Sequence, residues 1–213
     1  MNVKVGVEAH KRSDQDADKQ AYRERQRQGA CHDRADQGQL RVLIMPKIIQ
    51  VPRRALLVLC GPAGSGKSTF AAQHFIPTNI VSSDYCRAMI CDDVNNQQVN
   101  RDTFDLFYYI IQKRMFLGRF TVADSTALQS EARRKLRELS RRSGYLGCLL
   151  IFNIPPEICL KRDKMRQRIV GEQVVAYHAG LLQRTLQDAP HEGWEQVHVL
   201  GEEDMDAVIE ILA

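Results

Sequence analysis

One short motif in this sequence has residue types and spacing suited to binding phosphate. The segment GPAGSGKS, residues 61–68, matches G-x-x-x-x-G-K-[ST] at every fixed position, between an apolar run and a predicted helix. Its glycines let backbone amides point at phosphate oxygens, and the following helix N-terminus attracts the same anion. We expect Lys67 to reach the β- and γ-phosphates and Ser68 to ligate Mg²⁺. The predicted site for ATP or another nucleoside triphosphate comprises Gly61, Pro62, Ala63, Gly64, Ser65, Gly66, Lys67, Ser68 and Thr69.

Carboxylates follow two further predicted strands, at the sheet edge where open α/β folds bind ligands. The strand NIVSSD ends at Asp84, and RFTVADST carries Asp124. One of these can hold Mg²⁺, and the other can accept the proton of an attacking hydroxyl. Arg87, three residues after Asp84, suits an anionic acceptor. The alternative role for Asp84 is that of a helix N-cap.

A basic helix is predicted after the fourth strand. Arg162 and Arg166 are four residues apart in it and therefore share one helix face. At this position the helix is expected to belong to a lid, about residues 155–188, whose arginines stabilise charge on the transferring phosphoryl group. The alternative is a solvated basic surface. The charged residues of the helix include Lys161, Arg162, Lys164, Arg166 and Arg168.

The order of apolar and polar segments predicts the fold class. Strands alternate with helices, which favours an α/β fold with a parallel sheet covered by helices on both faces. We therefore expect a P-loop NTPase fold with about five strands and a helical lid. The predicted strands are ALLVLC, NIVSSD, RFTVADST, YLGCLLIFN and EQVHVLG, and the last segment, EDMDAVIEILA, is predicted to be a closing helix.

Composition limits the function classes. The chain has 213 residues and a net charge of +4, a weak basic bias that permits a polyanionic substrate. No apolar run approaches the roughly 20 residues of a membrane span, and the cysteines form no CxxC pair, so a cytoplasmic protein with free thiols is expected. Residues 1–44 are polar with alternating charges and are predicted to be disordered, or to precede a true start at Met45. Residues 45–213 would then form the folded domain.

Several sequence blocks together resemble a known family. From about residue 55 to 213 the chain resembles the 5′-hydroxyl polynucleotide kinase domain of bacterial RNA repair enzymes that heal and seal ends, and more distantly the phage polynucleotide kinases. The order and spacing of the blocks are more specific than the phosphate loop alone. The blocks are GSGKSTFAAQHF, SSDYCR, CDDVNNQQV, TFDLFYYIIQKRMFLGRFTVADST, EARRKLRELS, FNIPPEICLKRDKMR and GWEQVHVL.

The resemblance implies roles for particular residues. Asp84 would be the general base toward the 5′-hydroxyl, and Arg87 would help to position the acceptor. Arg162 and Arg166 would be the lid arginines, with Arg168 as a third only if a one-residue gap is allowed. Lys67 and Ser68 would act as described above. Asp124, which the position at the strand end makes the candidate metal ligand, is retained in the family pattern. The family often has DATN where this chain has DSTA, so Ala127 replaces an asparagine.

The leading hypothesis is an ATP-dependent, Mg²⁺-requiring kinase of RNA or DNA 5′-hydroxyl ends. Neither a membrane nor a dedicated protein partner is indicated. A P-loop kinase of a sugar, nucleoside or nucleotide-sugar remains open, because no base-stacking platform is evident. A non-transferring ATPase switch is the rival from another class, and Asp84 argues against it. His178 and Trp194 are interpreted as structural residues.

Overall fold

The computed structural model describes residues 46–165 and 169–212. The predicted N-terminal extension, residues 1–44, lies outside the described residues, so its disorder stays a prediction. Arg166 and Arg168 of the predicted lid also lie outside them. The predicted phosphate loop, both aspartates, Arg87 and Arg162 are all described.

Five of the strands build the central sheet. The strands of the described chain are β1 (Ile48–Pro52), β2 (Ala55–Cys60), β3 (Ile80–Ser82), β4 (Thr121–Asp124), β5 (Leu146–Phe152), β6 (Gln196–Leu200) and β7 (Val208–Leu212). The central sheet has the order β3–β4–β2–β5–β6, and every pair in it is parallel. All six residues of β2 are buried, as expected for a central strand with the sequence ALLVLC. The predicted five-stranded parallel sheet is confirmed.

Helices supply the crossovers that parallel strands require. Those of the described chain are α1 (Lys67–His74), α2 (Ser83–Cys91), α3 (Asn100–Phe116), α4 (Ser130–Arg142), α5 (Pro156–Lys164) and α6 (Glu172–Asp188). Gly118 and Gly144 follow α3 and α4 with φ of 72° and 68°, the left-handed conformation that ends a helix.

The helices cover both faces of the sheet. On one face, Leu57 of β2 packs in a buried cluster with Phe70 of α1 and Cys159 of α5. On the other face, Leu56 packs in a second cluster with Phe107 of α3. Successive residues of a strand point to opposite faces, so β2 contributes alternately to the two clusters. The layered α/β architecture expected from the sequence is therefore present.

The predicted closing helix is wrong. Residues 202–204 form a short 3₁₀ turn, and the chain then continues as β7, which pairs in parallel with β1. Ile48 lies opposite Val208 in this two-stranded sheet, and Ile49 lies opposite Ile209. The β-branched residues of VIEIL favour a strand when a partner strand is available. That partner lies about 160 residues earlier in the chain, beyond the reach of a local pattern.

Candidate active site

The phosphate loop joins β2 to α1, as the motif predicts. Gly64 and Gly66 have φ of 82° and 93°, and Gly66 is the N-cap residue of α1. A Cβ atom at Gly64 would overlap the carbonyl oxygen of Cys159, and one at Gly66 would lie 2.9 Å from Cε of Met205. Both positions therefore require glycine for conformation, and Gly64 also requires it for space because the atoms it would meet are backbone. The loop is enclosed by α5 on one side and by the turn after β6 on the other.

Lys67 is buried at the base of this loop. Its ammonium group donates hydrogen bonds to the carbonyl oxygens of Gly61 and Pro62, at 2.8 and 2.6 Å, and to Oγ of Ser65 at 3.3 Å. The cation thus lies within the loop that the motif assigns to the β- and γ-phosphates. Ser68 and Thr69 follow in the first turn of α1 and are exposed.

The chain after β4 lies against the start of the loop. The Gly61 N–H donates to the carbonyl oxygen of Thr126 at 2.9 Å, and Cys60 Sγ donates to that of Ala127 at 3.3 Å. Ala127 has φ of 45°, a conformation that asparagine adopts more readily than alanine. This backbone conformation would suit the asparagine that the resembling family often has at the position of Ala127. Asp124 is buried and is the last residue of β4. It lies opposite Leu59, the next-to-last residue of β2.

Asp84 lies in the first turn of α2, beyond the end of β3. The N-cap is Ser82, whose Oγ accepts a hydrogen bond from the Tyr85 N–H at 3.4 Å. The alternative N-cap role for Asp84 is therefore wrong. The Asp84 side chain is 56% exposed, so its carboxylate is accessible to an incoming molecule.

Arg87 supports this carboxylate from a buried position. Its Nη1 donates to Oδ1 of Asp84 at 2.9 Å, and its Nη2 donates to Oδ1 of Asn100 at 2.6 Å. The Arg87 side chain is only 5% exposed. A guanidinium group can hold two acceptors in fixed geometry, so Arg87 links Asp84 to the first residue of α3.

The helices α5 and α6 occupy the predicted lid region. Arg162 lies near the loop, because its Nη1 is 3.6 Å from the position that a Cβ at Gly66 would take. Asp163 is fully buried and accepts hydrogen bonds from the backbone N–H groups of Val170 and Gly171, at 3.0 to 3.2 Å. This carboxylate ties the end of α5 to the start of α6. The predicted partner of Arg162, Arg166, lies outside the described residues.

His178 of α6 contacts the phosphate loop, which sequence reasoning missed. Its Nδ1 accepts a hydrogen bond from the Ala63 N–H at 3.2 Å. Burial lowers the pKa of His178, and the positive charge of Lys67 lowers it further. The earlier interpretation as a purely structural residue overlooked this contact, since the two residues are 115 positions apart and no local pattern connects them.

A buried ion pair holds the chain after β4 in place. Arg133 of α4 is 1% exposed and donates to the carbonyl oxygens of Ala127 and Leu128, at 3.2 and 2.8 Å. It also donates to both carboxylate oxygens of Glu192, at 2.5 to 3.0 Å. Burial alone would raise the pKa of Glu192, but hydrogen bonds from Arg133 and Trp194 lower it. Nothing in the sequence distinguishes Arg133 from its exposed neighbour Arg134.

The described cysteines are free, and among the described residues no group of three or more His, Cys, Asp or Glu side chains could hold a metal ion. In that part of the chain no helix is long and apolar enough to cross a membrane.

The fold and the loop define a P-loop nucleotide-binding protein. Residues 56–188, more than half of the chain, match the profile of the AAA domain family AAA_33. The chain belongs to this family of P-loop kinase domains. No curated protein sequence matches the chain.

One solved structure shares the fold at a TM-score of 0.57, a chain of the Pnkp1/Rnl/Hen1 RNA repair complex. The two are 22% identical, and the match covers 65% of this chain and 47% of that one. The chain described here therefore spans about half the length of the relative that it matches. At this identity the similarity shows the fold alone.

Two small-molecule kinases are more distant in structure. The gluconokinase from Sinorhizobium meliloti 1021 has a TM-score of 0.45 and 16% identity, covering 71% of this chain and 84% of its own. The Mycobacterium tuberculosis APS kinase CysC, in complex with AMPPNP and APS, has 0.47 and 13%, covering 73% and 94%. At these TM-scores neither similarity bears on the acceptor.

Proposed function

We propose that this protein is an ATP-dependent kinase that transfers the γ-phosphate to 5′-hydroxyl ends of RNA or DNA. The observation that carries the proposal is the exposed carboxylate of Asp84, held by buried Arg87 at the sheet edge that also carries the phosphate loop. The order and spacing of the sequence blocks support a polynucleotide acceptor. A chain of an RNA repair complex shares the fold on which the proposed site is built.

In the proposed reaction one bond to the γ-phosphorus forms and one breaks. The 5′-hydroxyl oxygen attacks the γ-phosphorus, and the bond from that phosphorus to the oxygen bridging it to the β-phosphate breaks. ADP leaves with the electron pair of that bond, and the hydroxyl proton passes to the Asp84 carboxylate. Arg87 orients that carboxylate through its hydrogen bond. An anionic acceptor would also meet the positive charge of this guanidinium group.

The groups around the phosphate loop suit a bound nucleoside triphosphate. The loop amides and Lys67 would bind the phosphates, and Arg162 beside Gly66 would offset charge on the transferring group. Arg166 is proposed as its partner on the grounds of spacing. The Ser68 hydroxyl and the Asp124 carboxylate are the residues that would hold Mg²⁺. The ion, when bound with ATP, would neutralise phosphate charge.

The free thiols suggest where the protein acts. Cys60, Cys86, Cys91, Cys148 and Cys159 form no disulfide. Persistent free thiols accord with a reducing compartment such as the cytoplasm. The proposed catalytic domain is 45–213, and 5′ ends of nucleic acid are the proposed partners.

The test is transfer of labelled γ-phosphate from ATP, with Mg²⁺, to 5′-hydroxyl RNA and DNA oligonucleotides. Asp84→Asn keeps the size of the side chain but removes the base, so we expect turnover to fall by about 100-fold or more. Lys67→Met removes the cation of the loop and should abolish labelling. Asp105→Asn is the matched control, since Asp105 is an exposed aspartate of α3.

The outcomes separate the candidate functions. Labelling that is lost in Asp84→Asn and Lys67→Met but kept in Asp105→Asn supports the proposal. If neither oligonucleotide is labelled while ATP still binds, the polynucleotide acceptor is wrong. Sugars, nucleosides and nucleotide-sugars would then be offered as acceptors in the same assay. ATP hydrolysis without transfer to any of them would identify a non-transferring ATPase.

A further inference from the structure

Two helices of the lid region contact neighbouring residues in the first half of the phosphate loop. The α5 backbone meets the loop at Gly64, where the Cys159 carbonyl leaves no space for a side chain. The α6 helix meets it one residue earlier, where the Ala63 N–H donates to His178 Nδ1 at 3.2 Å. The backbone of the loop is therefore held by side-chain and main-chain groups from outside the motif.

The contact from α6 is selective in its chemistry. An imidazole nitrogen accepts a hydrogen bond only when it carries no proton, so Ala63 requires His178 to be neutral with its proton on Nε2. The charge of Lys67, which acts on the imidazole, disfavours the protonated ring. The geometry agrees, because the Ala63 N–H that donates to the ring belongs to the same peptide unit as the Pro62 carbonyl oxygen that accepts from Lys67.

The bond fixes the direction of one loop amide. Ala63 lies between Pro62, whose carbonyl oxygen accepts from Lys67, and Gly64, whose φ is 82°. A change in the orientation of the peptide at Ala63 would be passed to both neighbours. The hydrogen bond from Ala63 therefore affects the position of the Lys67 ammonium group and the orientation of the amides that follow in the loop.

We propose that His178 is a positioning residue for the donor phosphates, which holds the Ala63 amide through Nδ1 and so sets the loop geometry that binds ATP. This inference rests on the donor half of the proposed function and is independent of the acceptor. His178 does not touch the reacting atoms in this role. It acts through the backbone of the loop.

Three variants of His178 distinguish positioning from simple packing. In His178→Asn the side-chain oxygen stands close to the place of Nδ1 and can accept the bond. In His178→Gln it stands one bond further out, near the place of Nε2, and in His178→Leu no acceptor remains. His191→Asn is the control, because His191 is an exposed histidine in the 3₁₀ turn that follows α6.

The measurement is calorimetric affinity for a non-hydrolysable ATP analogue with Mg²⁺, made with the full chain. We expect His178→Asn and His191→Asn to stay within about twofold of the wild type, and His178→Gln and His178→Leu to bind about 5- to 10-fold more weakly, as for one lost hydrogen bond. Wild-type affinity in both His178→Gln and His178→Leu would overturn the proposal. An equal loss of affinity in His178→Asn and His178→Gln would overturn it as well. Should Leu not fold, the comparison of Asn with Gln decides alone.

This readout separates the inference from the proposed function. Analogue binding needs no acceptor, so a failure to phosphorylate oligonucleotides leaves the affinity test intact. If oligonucleotides are phosphorylated and His178→Gln has the wild-type affinity, the kinase proposal stands and the role of His178 is wrong. A KM for ATP that rises in Gln more than kcat falls would agree with positioning of the bound donor.

Discussion

At the scale of residues, Arg87 joins two parts of the candidate site. Its guanidinium group holds Asp84 on α2 and Asn100 on α3 at the same time, with hydrogen bonds of 2.9 and 2.6 Å. It is buried, whereas Asp84 is mostly exposed. The carboxylate can therefore meet an acceptor while its orientation is set from beneath. Arg87 acts in the first instance on Asp84, even where it also attracts an anionic acceptor.

We predict that Arg87→Lys lowers phosphoryl transfer by about 10-fold or more. A lysine offers a single ammonium group and cannot reproduce the planar fork that holds both acceptors. ATP affinity should stay close to the wild type, because Arg87 makes no described contact with the phosphate loop. Turnover with oligonucleotide and calorimetric ATP affinity, measured together, check this.

Arg101→Lys is the control for this substitution, since Arg101 is exposed in the first turn of α3, next to Asn100. It should leave both quantities unchanged. A normal kcat in Arg87→Lys would show that the fork is not needed to orient Asp84. A loss of ATP affinity instead would mean that α2 and the phosphate loop are coupled.

At the scale of elements, the sequence predicted the features that depend on neighbouring residues and missed those that depend on distant ones. The phosphate loop and its flanking strand and helix depend on neighbouring residues, and all three were predicted. The pairing of β1 with β7 depends on contacts across about 160 residues. The contact of His178 with Ala63 and the burial of Arg133 are likewise long-range. Such features have no sequence signature of their own.

The strand β7, for which the sequence predicted a helix, also affects the candidate site. Because the chain continues as β7 after β6, the turn between them brings Met205 against Gly66 of the loop. Lys47, just before β1, donates to the Val199 carbonyl oxygen at 2.8 Å and pairs with Asp204 at 3.2 Å. The small parallel sheet thus helps to place the turn that covers one side of the phosphate loop.

We predict that Gly64→Ala separates the loop from α5 and sharply weakens ATP binding. The added methyl group would overlap the Cys159 carbonyl oxygen, which is backbone and cannot rotate away, and φ of 82° strains any residue with a Cβ. We expect the free energy of unfolding to fall by about 1–3 kcal/mol. Urea unfolding and calorimetric ATP affinity measure the two effects.

Gly180→Ala provides the matched control within the same lid region. Gly180 lies inside α6, and a Cβ there would meet no atom within 4 Å. Alanine is the better helix former by about 0.8–1 kcal/mol, so this variant should be more stable than the wild type and bind ATP equally well. Equal ATP affinity in Gly64→Ala and Gly180→Ala would show that the contact of α5 with the loop is dispensable.

At the scale of the whole molecule, the described part of the chain contains both the donor loop and the proposed base. Residues 1–44 contribute nothing to this description, and a kinase domain of 45–213 remains a proposal. The stability of that domain depends in part on half-buried histidines. Burial lowers the pKa of three histidines in different elements: His74, His178 and His198.

We predict that the folded domain loses stability as the pH falls below about 6.5. An unfolded histidine has a pKa of about 6.5, and these three have lower values when folded, so the unfolded chain binds more protons in acid. Their stabilising contribution is present above pH 6.5 and is lost as the pH falls through the folded values. The charges of Lys67 on His178 and of Lys47 on His198 act in the same direction as burial.

Urea unfolding at pH 7.5, 6.5 and 5.5 measures this effect through the transition midpoint. The midpoint should fall from the first pH to the last, and it should fall less in His178→Asn, because asparagine does not titrate. The difference between the two proteins isolates the contribution of the ring that holds the phosphate loop. A midpoint that is constant or rises toward pH 5.5 would mean that the three histidines accept protons as easily when folded as when unfolded. Burial would then not control their protonation.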